Sequence, residues 1–222
     1  MQHTKTVVIL GAGRAQIPVI ARAHRLGYRV VSPDRNPHAP GFELSDHPLP
    51  GVSTHDPNAL IDALRALEHQ GVRVHGVLTV GVEASLCAAQ VCEALGLRTV
   101  GVAAAQRATD KYLRLQALQA AGVSCPRFGF AHKLEDAART AEQIGYPVML
   151  KPTRAAGSLG VVRCLDEVEL EASWSVTCRH AADGVLIEEY LVGTEHSSES
   201  LVLNGAVHTT GFSDRNYDTK HR

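Results

Sequence analysis

Apolar runs and helical segments alternate along about the first hundred residues of the chain. The first run, K-T-V-V-I-L at residues 5–10, is rich in β-branched residues and ends at Gly11, which predicts a buried strand. The other predicted strands lie at residues 28–32 and 74–80, and the predicted helices lie at residues 16–27, 57–71 and 83–95. Such alternation is typical of a doubly wound parallel sheet. We therefore expect the chain to begin with an α/β domain of this kind.

The pattern changes after about residue 108. Strands are predicted at residues 148–151, 160–164, 185–190 and 199–204, and helices at about 111–121 and 166–180. A loop alone separates the first two of these strands, and Asn204-Gly205 between apolar runs is a strong hairpin signal. We therefore predict an antiparallel α+β region and divide the chain into domains at residues 1–107 and 108–222.

The composition excludes several classes of protein. The 222 residues include 22 Lys and Arg against 23 Asp and Glu, so no basic surface points to nucleic acid or to an anionic membrane. No apolar run is long enough to span a bilayer. The five cysteines are odd in number and form no Cys-x-x-Cys pair, which favours reduced thiols and a cytoplasmic location.

A lysine ends the apolar run V-M-L and leads into a loop of small residues. Because the stem of Lys151 is buried, its ammonium needs an anionic partner, and phosphate is a natural one. We call this loop, residues 154–160, the glycine loop. Gly157 and Gly160 leave its backbone accessible, so its N–H groups can lie against phosphate oxygens. No Gly-Lys-Ser/Thr follows, so this is not a Walker loop. The alternative to a phosphate contact is that Lys151 lies at a strand end and extends its ammonium into solvent.

A second glycine turn follows the first predicted strand. It reads Gly11-Ala12-Gly13-Arg14-Ala15-Gln16, and Asp34 lies 21 residues beyond Gly13. Two glycines and an acid that could hold a ribose hydroxyl make up most of a dinucleotide fingerprint, which suggests NAD binding. The third glycine is replaced by Gln16. A purely structural turn is therefore the favoured interpretation.

Two segments resemble the nucleotide-clamping core of the ATP-grasp ligases. They are residues 146–161, Y-P-V-M-L-K-P-T-R-A-A-G-S-L-G-V, and residues 188–195, E-E-Y-L-V-G-T-E. Arg107-Ala108-Thr109-Asp110-Lys111 is similar to the segment that begins the ATP-grasp domain, where Thr109 or Asp110 is a candidate helix cap. The resemblance covers essentially the whole chain and fits best the branch of amino-acid ligases and carbamoyl-phosphate-synthase-like proteins.

The resemblance implies a particular fold. It is a Rossmann-like domain, which usually binds no dinucleotide, followed by an α+β ATP-grasp domain that is incomplete at its C-terminus. Within the second domain, the small subdomain would span about residues 123–190, and the large subdomain would begin at residues 191–222.

The resemblance also implies a set of residues that contact ATP. They are Lys111, Lys151, Arg154, Gly157, Ser158, Gly160, Glu188, Glu189, Tyr190, Leu191 and Glu195. The lysines would contact phosphates, the glycine loop would close over the β- and γ-phosphates, the hinge at residues 189–191 would hydrogen-bond adenine, and Glu195 would hold the ribose hydroxyls. As alternatives, Lys111 is an ordinary first-turn residue, Arg154 is solvated, and Glu188 and Glu189 are exposed edge-strand charges.

The family's Mg²⁺ ligands lie on later strands and are expected beyond Arg222, so we assign no catalytic or metal residue. Among the residues present, Glu199, Asp214 and Asp218 are the first candidates to test. The implied activity is ATP-dependent ligation of a small-molecule carboxylate to an amine or a similar nucleophile through an acylphosphate. Two alternatives are a non-catalytic module that binds ATP or ADP and an NAD-binding protein. The chain is expected to be a fragment, a truncated product or a domain that needs a partner, and a homo-oligomer stays open.

Overall fold

The computed structural model describes residues 5–215, which contain two four-stranded sheets and a separate hairpin. The first sheet has the strands β1 (Thr6–Leu10), β2 (Arg29–Asp34), β3 (His47–Pro50) and β4 (Val74–Thr79), with the helices α1 (Ile17–Arg25), α2 (Pro57–His69) and α3 (Ser85–Ala94). All its strands are parallel, in the spatial order β3-β2-β1-β4. The predicted parallel α/β sheet is confirmed. Strand β3 was not predicted, because its sequence, H-P-L-P, carries two prolines that argue against a strand.

Helices cover both faces of the first sheet. On β1, Val8 and Leu10 pack against apolar residues of α2 and α3, whereas Ile9 packs against α1 on the other face. A strand that is buried on both faces has no polar side, which explains the unbroken apolar run of β1.

Two helices, α4 (Val102–Thr109) and α5 (Lys111–Ala120), lead from the first sheet to the second. Asp110 stands between them, and its Oδ1 accepts hydrogen bonds from the N–H groups of Tyr112 (3.0 Å) and Leu113 (3.1 Å). This carboxylate satisfies N–H groups that the first turn of α5 leaves without partners. Of the two predicted cap residues, Asp110 therefore caps the helix. Helix α4 was not predicted.

The second sheet is antiparallel. Its strands are β5 (Phe128–Ala131), β6 (Val148–Pro152), β7 (Val162–Cys164) and β8 (Val185–Glu189), and its helices are α6 (Leu134–Ile144) and α7 (Glu167–Cys178). The spatial order is β5-β8-β6-β7, which confirms the antiparallel α+β prediction. Strand β5 was missed because it has four residues around a glycine, and α6 because alanines provide two of its three buried residues.

A two-stranded hairpin follows the second sheet. It consists of β9 (His196–Leu203) and β10 (Ala206–Asp214), and its turn residues Asn204 and Gly205 have positive φ angles of 52° and 84°. Positive φ at both central residues belongs to the turn that the Asn-Gly pair predicts. The tip of the hairpin contacts the first domain, where Arg98 Nη2 donates to Asn204 Oδ1 at 2.6 Å.

The helices within residues 5–215 are short. They run from 8 residues in α4 to 13 in α2, whereas a bilayer span needs about 20. None of them is long and apolar enough to cross a membrane.

Candidate functional site

The two faces of the second sheet have different surroundings. Val148 and Leu150 of β6 face the core that α6 and α7 cover. Because side chains alternate along a strand, Met149 and Lys151 lie on the opposite face, which we call the open face. Glu188 pairs in register with Met149, so it shares the open face with Lys151.

An ion pair joins the two charged residues of the open face. Lys151 Nζ donates to Glu188 Oε1, and the two side chains are 23% and 14% exposed. Glu188 is therefore the anionic partner of the Lys151 ammonium in this structure. The phosphate contact predicted for Lys151 stays a prediction.

Glu189 belongs to the other face of the sheet. It pairs in register with Val148, and its carboxylate accepts from Arg127 Nε and Nη2, both at 3.3 Å, and from the Arg127 backbone N–H at 3.1 Å. The side-chain hydrogen bonds from Arg127 hold the pKa of Glu189 below its usual value. The adjacent glutamates of E-E-Y-L therefore have different surroundings, and only Glu188 lies beside Lys151.

Lys111 lies at the start of α5, against the end of β6. Its Nζ donates to the carbonyl oxygens of Ala155 (2.6 Å), Pro152 (3.3 Å) and Thr153 (3.4 Å). Burial lowers the pKa of Lys111, and the nearby positive charges of Arg114 and Lys151 lower it further. The three donors of an ammonium can all be used in this way. The structure thus places Lys111 beside the glycine loop, and its predicted phosphate contact stays untested.

Arg154, the first residue of the glycine loop, is held by two carboxylates. Its Nε donates to Asp110 Oδ2 at 3.1 Å, and its Nη1 forms an ion pair with Asp183 Oδ2 at 3.1 Å. The Asp110 side chain is only 8% exposed, whereas Asp183 is 54% exposed. The guanidinium therefore links the loop to the cap of α5.

The glycine loop is exposed and has backbone donors that are not used. Gly157, Ser158 and Gly160 have φ angles of 66°, 59° and 69°. Within residues 5–215, the N–H groups of 156–158 meet no hydrogen-bond acceptor. Successive unpaired N–H groups in a turn form a surface that binds anions. The predicted contact of this loop with phosphate oxygens stays a prediction.

Of the predicted hinge, residues 189–191, Glu189 and Tyr190 are half-buried and Leu191 is exposed. The Tyr190 N–H donates to the Pro147 carbonyl at 3.2 Å, and the Tyr190 ring lies 5.3 Å from the Arg163 guanidinium carbon. Leu191 is 62% exposed, and its N–H has no acceptor in the part of the chain that the structure describes. The backbone of Leu191 is thus accessible to the edge of a planar ring.

Glu195 directly precedes the hairpin. Its carbonyl oxygen accepts a hydrogen bond from the Arg215 N–H at 2.8 Å, which ties the two ends of the hairpin together. Its contact with ribose hydroxyls stays a prediction.

Sequence reasoning missed an aromatic cluster on the open face. Tyr112 of α5 stacks on Phe130 at 4.8 Å between ring centroids, and it meets Phe128 edge-on at 5.9 Å. Phe128 pairs in register with Glu188, so both phenylalanines line the open face beside the ion pair. The alternation in F-G-F-A was the available signal, but a run of four residues is too short to establish a period of two.

The glycine turn of the first sheet makes contacts with Asp34 and Gln16 of this chain. Asp34 Oδ2 accepts from the Ala12 N–H at 2.9 Å, and the Gln16 side chain donates to the Val80 carbonyl at 2.5 Å. A β-carbon on Gly11 would lie 3.1 Å from Gln16 Cδ, so the glutamine side chain packs directly against the turn. The Asp34 carboxylate thus accepts from the turn itself, and the Gln16 side chain occupies space beside Gly11.

Residues 5–215 contain no group of three or more His, Cys, Asp or Glu side chains placed to hold a metal ion. Asp214 accepts from His196 Nδ1 at 2.8 Å, and Glu199 is exposed on β9. Asp218, the third candidate, lies outside the described residues. We assign no Mg²⁺ ligand within residues 5–215.

Two family models match the chain. The ATP-grasp N-terminal domain matches residues 20–99, and the ATP-binding domain of the carbamoyl-phosphate synthase L chain matches residues 110–208. The second match contains the glycine loop, the ion pair and the hinge. The chain belongs to the ATP-grasp superfamily. This confirms the resemblance on which the site residues were proposed.

Curated ATP-grasp relatives are about twice as long as the part that matches. The chain is 32% identical over 194 residues to formate-dependent phosphoribosylglycinamide formyltransferase from Synechococcus sp. (strain RCC307), across 84% of the chain and 47% of the relative. It is 29% identical over 171 residues to the Burkholderia mallei (strain SAVP1) protein of the same name, across 76% of the chain and 41% of the relative. The chain thus spans less than half the length of these two proteins.

Solved ATP-grasp structures share the fold. L-amino acid ligase from Bacillus licheniformis superposes with a TM-score of 0.77 at 25% identity, over 99% of the chain and 52% of that structure. N5-carboxyaminoimidazole synthetase from Staphylococcus aureus, complexed with ADP, gives a TM-score of 0.76 at 19% identity, over 98% and 56%. The predicted order of a parallel α/β domain and then an ATP-grasp domain is therefore confirmed.

Proposed function

We propose that the chain binds ATP on the open face of its second sheet, between the glycine loop and the hinge. The observation that carries the proposal is the Lys151–Glu188 pair, which lies next to a loop whose N–H groups at 156–158 have no acceptor among the described residues. Lys111 contacts the Ala155 carbonyl of the loop and lies close enough to Lys151 for the Lys151 charge to lower its pKa, so we place the phosphates between the loop and these two ammonium groups. A triphosphate supplies several anionic oxygens to both donors at once.

The hinge supplies the other end of the proposed site. The accessible N–H of Leu191 would donate to the adenine edge, and the apolar open face with Phe128 and Phe130 would contact the ring. Glu195, which follows the hinge, is our proposed partner of the ribose hydroxyls, since a carboxylate can accept from both. Arg154 would act through its hold on the loop, because its guanidinium is paired with Asp110 and Asp183.

For the whole protein we propose ATP-dependent ligation of a carboxylate to an amine. A carboxylate oxygen attacks the γ-phosphorus, ADP leaves, and an acylphosphate forms. The amine nitrogen then attacks the acyl carbon, phosphate leaves, and the amine proton passes to solvent or to a base. The names of two relatives support this class, since one transfers formyl groups from formate and the other ligates amino acids.

Mg²⁺ would neutralise charge on the phosphates in such a reaction. The described residues do not form a site for it. This favours a second candidate for the chain taken alone, a module that binds ATP or ADP without turnover. An NAD-binding protein is disfavoured by the contacts of Gln16 and Asp34 with the first glycine turn.

We also propose a cytoplasmic location. All five cysteines are unpaired thiols in the structure, and Cys87, Cys92 and Cys164 are buried. Unpaired structural cysteines are typical of a reducing compartment.

Isothermal titration calorimetry tests the proposed ligand. We expect ATP and ADP to bind with measurable heat, and NAD and NADP to bind more weakly or not at all. Tighter binding of NAD than of ATP would contradict the assignment and would favour the first glycine turn as the site.

A further inference from the structure

Thr177 makes an unusual hydrogen bond for a helical threonine. It lies in the last turn of α7 and is fully buried, and its Oγ1 donates to the Gly160 carbonyl at 2.9 Å, 17 residues back along the chain. Helical threonine hydroxyls commonly donate within their own helix, as Thr140 does to the Asp136 carbonyl at 2.8 Å. The Thr177 hydroxyl instead joins α7 to the end of the glycine loop.

The residues that surround Gly160 also restrict the C-terminal end of the glycine loop. Its φ angle is 69°, and an added β-carbon would lie 3.0 Å from both His180 Cδ2 and Pro152 Cγ. Gly160 is therefore enclosed between the end of α7 and the end of β6. Its carbonyl meets the Thr177 hydroxyl, which fixes the peptide orientation as well as the position.

The other end of the loop is held by Lys111, whose ammonium lies 2.6 Å from the Ala155 carbonyl oxygen. Residues 156–159 lie between these two attachments, and the N–H groups of residues 156–158 have no acceptor among the described residues. Leu159 within it is 57% exposed. The loop thus combines fixed ends with an exposed centre.

We propose that Thr177 is a positioning residue that fixes the C-terminal end of the glycine loop, so that the N–H groups of residues 156–158 face the outer phosphates of ATP. The inference rests on the proposed function, in that the loop holds those phosphates. Without the hydroxyl, the Gly160 peptide can rotate and the N–H groups no longer converge. Binding of the β- and γ-phosphates then weakens, whereas contacts made only to the α-phosphate and adenosine do not.

The test compares Thr177→Val with the wild type. Valine keeps the shape of threonine and removes the hydroxyl, and Thr140→Val is the matched control because it removes a hydroxyl that bonds within α6. We expect Thr177→Val to raise the Kd for ATP about fivefold, the order expected for one lost hydrogen bond, and to leave the Kd for AMP unchanged. Limited thermolysin cleavage at Leu159, without nucleotide, should accelerate by a similar factor. Thr140→Val should match the wild type in all three measurements.

Unchanged ATP affinity together with unchanged cleavage at Leu159 would overturn the inference. An equal loss of ATP and AMP affinity would also overturn it, because a general loss of structure affects both. If the valine variant does not fold, Thr177→Ser and Thr177→Ala both lack the methyl group and differ only in the hydroxyl. Serine should then behave like the wild type, and alanine should show the loss. If the wild type itself binds no ATP, the proposed function fails, whereas the cleavage rates still decide whether Thr177 holds the loop.

Discussion

Replacing Lys151 with methionine removes one charge from the open face and keeps a stem of similar length. If the ammonium contacts an ATP phosphate, the lost charge-assisted hydrogen bond is worth about 1.5–3 kcal/mol. The Kd for ATP should then rise by roughly 10- to 150-fold. Titration calorimetry of the folded variant measures this directly.

The same substitution also affects stability. Glu188 loses its partner, and its side chain is only 14% exposed, so its carboxylate is left poorly solvated. An unsatisfied charge of this kind costs about 1–3 kcal/mol, and contact with water at the exposed edge places the cost at the lower end. The chain has a single tryptophan, Trp174, which packs against the core of the second sheet. Its fluorescence during urea unfolding therefore measures the decrease in the free energy of unfolding.

The double variant Lys151→Met/Glu188→Gln separates the two effects. Without the carboxylate, no charge is left unpaired, so the free energy of unfolding should return towards the wild-type value. ATP affinity should not return, because the ammonium is still missing. Lys133→Met is the control, since Lys133 is exposed and makes no ion pair among the described residues. Wild-type ATP affinity in folded Lys151→Met would refute the reasoning and would leave Lys151 only as the partner of Glu188.

Three further predictions concern the ligand, turnover and pH. ATP with Mg²⁺ should raise the melting temperature and NAD or NADP should not, and the opposite order would favour the first glycine turn. The 222-residue chain should release no ADP above background with a panel of amino acids, since residues 5–215 hold no metal-ligand group; ADP release that Lys151→Met abolishes would disprove this. Burial, with the Asp56 charge adding, raises the pKa of Cys87 from 9.0 to about 11, so the unfolded thiol ionises first. Ionisation of Cys87 should therefore lower the free energy of unfolding by about 2 kcal/mol as the pH rises from 9 to 11, so the total fall should be smaller in Cys87→Ala; equal falls would contradict it.

Local sequence was enough to predict much of the fold. The unbroken apolar run of β1 predicted a buried strand, which the structure covers on both faces. Asn204-Gly205 predicted the hairpin turn, because positive φ angles at both positions suit few other residues. Elements without a strong local signal were missed. Strand β3 carries two prolines and β5 is centred on a glycine, so only pairing with their neighbours makes them strands.

For the candidate site, the sequence supplied the residue types. A lysine at a strand end and glycines in the following loop predict an anion-binding loop, because burial demands a partner for the ammonium and glycine exposes backbone donors. The tertiary structure decided which groups meet. Strand register places Glu188 beside Lys151 and gives Glu189 to Arg127, although the two glutamates are adjacent in the chain. The hydrogen bond between Thr177 and Gly160 likewise depends on where α7 packs, and the spacing of these residues in the sequence does not predict it.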